Sequence, residues 1–256
     1  MGIASAPGSS GGTTRGLFMR ANRTGGIFSG LSASPTGYSI TGDYTVSADV
    51  WMNFIGPAPV GGSGSTQAGG MGIGTAGTTA QWAGGTQDSV SADGNSAVDW
   101  RAYSSAAPTG YGDASTVFFA AGTGNRNHSH AYYAGFGGVT IPAAQTALFP
   151  ATQTGTTLVG SAGFKWHRMV ISKVGNFATW TVSGTPIARV DLRTVTLSGS
   201  NIFFNAFDTN ATSSSTDHGL NFTLVDNVVV TPVPEPASML ALGLGAAAML
   251  RRRRKA

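Results

Sequence analysis

The residues of this chain that could do chemistry are a His-x-His pair, scattered aspartates and five tryptophans. Hydrolysis of a glycosidic bond needs two carboxyl groups flanking it. Glu235 is the only glutamate; subtracting it from eleven acidic residues leaves ten aspartates, and no two of these lie at i, i+2. A hydrolase built on paired carboxylates of one strand is thereby excluded. His128 and His130 stand at i, i+2, which is one face of a strand. They could hold a metal, or serve a polysaccharide lyase with Tyr132 or Tyr133, but no third ligand adjoins them. A polar turn is the plainer reading, and His167 is expected on a sheet surface. Asp208 and Asn210, with Asp217 and Asp226, could supply oxygen ligands to a structural Ca²⁺, although Asp and Asn at such spacing are also ordinary turn formers. Trp51, Trp82, Trp100, Trp166 and Trp180 would stack on sugar rings if exposed and pack the core if not, and one sugar platform among them is the expectation. The chain has no cysteine, which excludes a thiol nucleophile, thiolate metal sites and disulfides. G-x-S-x-G and P-loop motifs are absent, and no other cofactor is implied.

Positioning falls to a chain of 256 residues with 38 glycines, 11 prolines and only 10% charged residues. That composition suits one loop-rich β domain with appendages. The formal net charge of +4 belongs to the end of the chain. Removing Val233 onward takes away five of 15 basic and one of 11 acidic residues, leaving ten against ten. With no basic stripe interleaved with aromatics, nucleic acid is not an expected partner.

Short apolar runs alternate with Gly, Pro, Asn and Ser clusters, and no helical period is sustained before the final stretch. Over 41–59, Tyr44, Val46, Ala48, Val50 and Met52 share one face, against Thr45, Ser47, Asp49, Trp51 and Asn53 on the other. Residues 163–192 read as a three-stranded meander with turns at 174–176 and 183–186. Further strands are expected at 66–74, 80–83, 97–103, 116–121, 131–136, 201–207 and 220–230. About twelve short strands without helices argue for a two-sheet sandwich or jelly roll. The opening sequence shows no basic stretch followed by an apolar one, so no signal peptide is visible. Residues 1–15 are expected to be a disordered or truncated lead.

The final stretch combines three features. Pro234 and Pro236 hold Glu235 extended, with helix disfavoured before each proline. Ala237 to Leu250 is apolar except for Ser238, with Leu240, Leu242, Leu244, Met249 and Leu250 among its larger side chains. A helix of that length spans about 21 Å, short of the ~30 Å hydrocarbon core. Arg251, Arg252, Arg253, Arg254 and Lys255 would stay cytoplasmic and leave the body outside.

In order, Val233-Pro234-Glu235-Pro236, the apolar segment and the arginine cluster resemble a PEP-CTERM sorting signal over 232–256. The resemblance implies recognition by an exosortase, transient inner-membrane anchoring and export to the cell surface or extracellular matrix. Two further segments, GFKWHRMVISKVGNFATWTVSGTPIARVD and LVDNVVV, together with YTVSADVWMNF, resemble laminin-G-like and concanavalin-A-like domains. They imply an all-β, concanavalin-A-like jelly roll over 16–231, followed by a short C-terminal apolar helix. Those motifs are structural and carry no activity, and the E-x-D-x-x-E of glycosidases on that fold is missing. The expectation is a non-enzymatic surface protein whose body is structural or binding. A carbohydrate-binding module for exopolysaccharide is the alternative, with a polysaccharide lyase behind it. Ice binding lacks a regular Thr-x-Thr ladder.

Overall fold

The computed structural model describes residues 1–9, 15–21, 29–59, 67–78, 90–95, 100–103, 117–122, 128–208 and 218–234. Its elements are β1 (Leu17–Met19), β2 (Ser29–Ala33), β3 (Tyr44–Asn53), β4 (Gln67–Thr75), β5 (Val90–Asn95), β6 (Trp100–Tyr103), β7 (Val117–Phe119), α1 (Ala143–Leu148), β8 (Trp166–Val174), β9 (Phe177–Val182), β10 (Thr185–Asp191), β11 (Asn201–Asp208) and β12 (Phe222–Pro232). The strands form two sheets, a seven-stranded one in the order β1-β12-β3-β8-β9-β10-β7 and a five-stranded one in the order β2-β11-β4-β5-β6. The chain crosses repeatedly from one sheet to the other, so the body is an all-β two-sheet sandwich.

Alternation assigns the faces. On β3 the predicted apolar set, Tyr44 to Met52, points inward and is buried against Met71 and Ile73 of β4 and Ile202 and Phe204 of β11. Each such side chain contributes about 1.5–3 kcal/mol by leaving water. On β9, Ala178, Trp180 and Val182 face the same core. The β9–β10 hairpin closes with Val182 opposite Thr185, and both residues of its loop have positive φ, 49° at Ser183 and 83° at Gly184. A two-residue loop of that kind matches the twist of its strands.

Three parts differ from the sequence expectation. Residues 131–136 are not a strand. His130 caps a 3₁₀ turn at Ala131–Tyr133, its Nδ1 accepting from the Tyr132 amide. The short helix α1 breaks the all-strand pattern and is held by buried amides. Gln145 Nε2 donates to Asn53 Oδ1 (2.7 Å), Asn53 Nδ2 to the Leu220 carbonyl (2.9 Å), and Gln153 Nε2 to Gln145 Oε1 (2.8 Å). Satisfied amides of this sort fix one packing arrangement, because leaving any of them unpaired in the interior is expensive. Finally, residues 1–9 of the expected disordered lead lie on the sandwich: Ala6 is buried and the Ala4 carbonyl accepts from Trp166 Nε1 at 2.8 Å. Apolar contact and that indole hydrogen bond hold the segment despite its small side chains.

Candidate functional site

The outward face of the seven-stranded sheet divides into two halves. In the first, Trp51 of β3 stands opposite Trp166 of β8, with ring centroids 5.9 Å apart. Ala6, Phe54, Ile141, Phe164 and Phe222 bury this pair in a second apolar cluster. Beside it, Arg168 donates to Ser47 Oγ (2.7 Å), to the Asn227 carbonyl (2.9 Å) and to Asp49 Oδ1 (3.3 Å). Asn227 Nδ2 donates to Asp49 Oδ2, and Ser9 Oγ to Asp226 Oδ2, both at 2.7 Å. A depression of about 240 Å³ remains between Ile3, Ala4, Arg15 and Gly16, floored by Trp166 and Leu224.

The second half is open. Registers align Phe118 (β7) with Arg189 (β10), Arg189 with Thr179 (β9), Thr179 with Ser172 (β8), Ser172 with Thr45 (β3), and Thr45 with Thr231 (β12). All six are at least partly exposed, Phe118 by 42%. Adjacent strands lie about 4.8 Å apart, so this lane crosses the strands over roughly 24 Å. Four of its six positions are hydroxyls, and Thr45 Oγ1 donates to Ser172 Oγ at 3.4 Å.

At one end of the lane the Arg189 guanidinium lies 4.5 Å from the Phe177 ring centroid and 5.4 Å from that of Phe118. Aromatic faces attract a cation at such distances. Arg193 also lies over Phe177 (5.8 Å) but is ion-paired with Asp191, whose carboxyl is held down at about 2 by hydrogen bonds from Arg193. Arg189 has no carboxylate partner among the described residues. Next to it Phe118, Phe119, Ala120, Thr179, Pro186 and Ala188 line a shallow depression of about 280 Å³.

The residues singled out from sequence scatter. Trp51, Trp100, Trp166 and Trp180 are all buried, so none of these four is an exposed platform, and Trp82 lies outside the described residues. His130 serves as a turn cap, and Tyr132 Oη donates to the Pro186 carbonyl at 2.8 Å. Tyr133 is fully buried against Trp100, and burial pushes its phenol up to about 12. His167 is not on the surface: it shares the inward face of β8 with Met169 and Ile171 and sits against Trp100 and Phe136. Burial lowers its pKa to about 4, so the ring is neutral, with Nδ1 3.2 Å from Ser183 Oγ.

Of the calcium candidates, Asp208 ends β11 in one sheet while Asp226 lies on β12 in the other. Asn210 and Asp217 lie outside the described residues. Among the described residues no three acidic or imidazole groups are grouped to hold a metal. Val233 and Pro234 continue directly from β12, with the Val233 amide donating to the Asp43 carbonyl at 2.8 Å. Glu235 and Pro236, the apolar segment from Ala237 to Leu250, and the basic cluster lie outside the described residues. Sequence reasoning missed Phe118, Phe177, Thr179 and Arg189. Thr179 and Arg189 stood within the predicted meander, but their neighbours across the sheet were not readable.

The PEP-CTERM protein-sorting motif matches residues 232–255, so the chain carries the signal of an exported protein with a C-terminal membrane anchor before processing. No curated protein matches the chain. Among solved structures it is similar to the Emp47p carbohydrate recognition domain (7% identity, 91% of this chain and 95% of that one, TM-score 0.44). It is also similar to the laminarinase from Rhodothermus marinus (12% identity, 88% and 80%, TM-score 0.43). A third is a carbohydrate binding module from Bacillus subtilis (10% identity, 85% and 92%, TM-score 0.38).

Proposed function

We propose that this exported chain is a non-enzymatic cell-surface or matrix protein, processed by an exosortase, whose concanavalin-A-like jelly-roll body binds exopolysaccharide on the open half of its seven-stranded sheet. The observation that carries the binding reading is the lane from Phe118 to Thr231, contributed by six strands and not covered by any of the described residues. Hydroxyls along it can exchange hydrogen bonds with sugar hydroxyls, while Phe118 offers an apolar face to a ring's C–H groups. Of the lyase candidates His128, His130, Tyr132 and Tyr133, His130 caps a turn, Tyr132 donates to the Pro186 carbonyl and Tyr133 is fully buried, which favours binding over a lyase.

Processing would occur close to the folded body. β12 runs to Pro232, so a single residue, Val233, separates the last strand from Pro234. Formed as a helix, the apolar segment of 14 residues would span about 21 Å, a length suited to retention before cleavage rather than to permanent residence. The body would then stand near the membrane until released. Mass spectrometry of the protein's C-terminus from its native host tests processing: an end near Pro234–Pro236 is expected, and an intact arginine-terminated chain on surface material overturns it. Electrophoresis of the full chain through gels containing polysaccharides tests the body. Retardation is expected, and unchanged mobility in every polysaccharide overturns the binding reading.

A further inference from the structure

Resting on that binding reading, we infer that the polysaccharide is an acidic one, and that Arg189 takes its carboxylate groups while the hydroxyl lane carries the flanking sugars. Three observations converge on this assignment. Arg189 is exposed on the outward face of β10, and its guanidinium is set against the Phe118 and Phe177 rings. A cation–π contact is an attraction of the charge to the ring, and the guanidinium's N–H fork matches a carboxylate in two parallel hydrogen bonds. Next, the neighbouring cation is ion-paired: Arg193 is held by Asp191, whose carboxylate also feels Arg189, so among the described residues two arginines against one carboxylate leave this patch with net positive charge. Last, the guanidinium sits at the head of a line, not in isolation. Thr179 lies directly beside it, with Ser172, Thr45 and Thr231 following strand by strand.

A sugar residue advances a polysaccharide by about the separation of one strand pair or less, so the lane of roughly 24 Å accommodates several units laid across the strands. One acidic sugar would seat on Arg189 with its ring against Phe118 in the 280 Å³ depression. A neutral glucan makes the hydroxyl contacts but leaves the guanidinium without its match. The site is exposed, so the ion pair is screened and binding should weaken as salt rises.

The test uses the full chain and its R189Q, R189K and F118A variants in affinity electrophoresis against polygalacturonate, dextran sulfate and dextran. Polygalacturonate should retard the native chain most strongly, and R189Q should lower that affinity about tenfold or more, as loss of a charge-assisted pair does. R189K should recover only part, and F118A should lose a few-fold. Thermal midpoints of the variants should stay close to that of the native chain, which separates lost binding from lost fold. Dextran retarding the native chain as strongly as polygalacturonate does, with R189Q unchanged against both, overturns the acidic assignment while leaving the polysaccharide reading intact. Retention by dextran sulfate but not by polygalacturonate overturns the carboxylate, and R189K equal to the native chain overturns the two-pronged contact. No retardation by any of the three overturns this inference, and extending the panel to neutral glucans and to native exopolysaccharide then decides the broader reading.

Discussion

Both halves of the outward face of the seven-stranded sheet carry aromatic and arginine side chains, yet one half is a second core and the other a surface. Over β3 and β8, Trp51 and Trp166 are covered by residues 3–9 and by the segment containing Ile141 and Phe164, and Arg168 is tied into Asp49, Ser47 and Asn227. Over β7, β9 and β10, Phe118 and Phe177 hold Arg189 with no cover among the described residues. The same residue types therefore do opposite work. Where a segment can pack on them the indoles stabilise the fold; where none does, the ring and guanidinium stay available to a ligand.

The largest test of that contrast is a pair of truncations. Trp166→Ala removes a buried indole, its contact with Trp51 and its hydrogen bond to Ala4. It should destabilise the chain by about 3–5 kcal/mol in urea unfolding. Phe118→Ala on the open half should cost well under ~1 kcal/mol. Equal losses would erase the distinction between the halves.

Acid should distinguish the inner and outer faces of the same sheet. His167, inward on β8, has its pKa lowered to about 4 by burial, against about 6.5 when unfolded. The unfolded chain therefore binds the extra proton first. Stability is intact above pH ~6.5, falls as pH drops towards 4, and changes no further from this group below that. The full loss is on the order of 3 kcal/mol. Asp191 on the open half, held at about 2, stays ionised in the folded chain throughout that window, and its unfolded form takes up protons only as pH nears 4, so it adds little to the slope above pH ~4.5. Urea midpoints at pH 7 and pH 4.5 should differ in the native chain and differ much less in His167→Gln; an equal slope in both would remove His167 as the cause.

Removing residues 1–9 should have a smaller effect, about 2 kcal/mol. The hydrogen bonds from Trp166 to Ala4 and from Ser9 to Asp226 are among those lost, at about 1 kcal/mol each, together with the burial of Ala6. Tryptophan emission should shift to longer wavelength as Trp166 meets water. An unchanged spectrum would show that the segment is not what covers the indoles.

Much of this architecture was legible in the chain. Period-2 alternation gave the faces of β3 and the three strands from Trp166 to Asp191, because burial of one face forces that pattern. His167 was misplaced on the surface although it alternates in phase with Met169 and Ile171, which point inward. The polarity of one residue was weighed above the phase of its neighbours. The lane was invisible for a different reason: Thr45, Phe118 and Thr231 are separated by long stretches of sequence from Ser172, Thr179 and Arg189 of the meander and join them only through strand register. A search for a Thr-x-Thr ladder looks along strands, whereas these hydroxyls line up across them. Likewise Trp51, Trp100, Trp166 and Trp180 are buried, and residue type alone does not say what packs on top of an indole or which one would be left as a platform.

Arg189→Gln should perturb stability least, and that small size is itself informative. The guanidinium meets two rings, and each exposed cation–π contact is worth about 0.5–1 kcal/mol before the glutamine's own packing is credited. A glutamine keeps much of the stem and recovers part of that, so the expected loss is about 0.5–1 kcal/mol, near the edge of what urea unfolding resolves. Binding to polygalacturonate should fall by about tenfold in the same variant. A residue that mattered chiefly to the fold would show the reverse, a large drop in unfolding midpoint with binding lost only in proportion to the folded fraction. Arg168→Gln on the covered half supplies that reverse case, since it strips Asp49 of its partner inside a network shared with Asn227 and Ser47. A larger stability loss in Arg168→Gln than in Arg189→Gln, with the order of binding losses inverted, is what the division of this face requires; the same order in both measurements would make the two halves one surface.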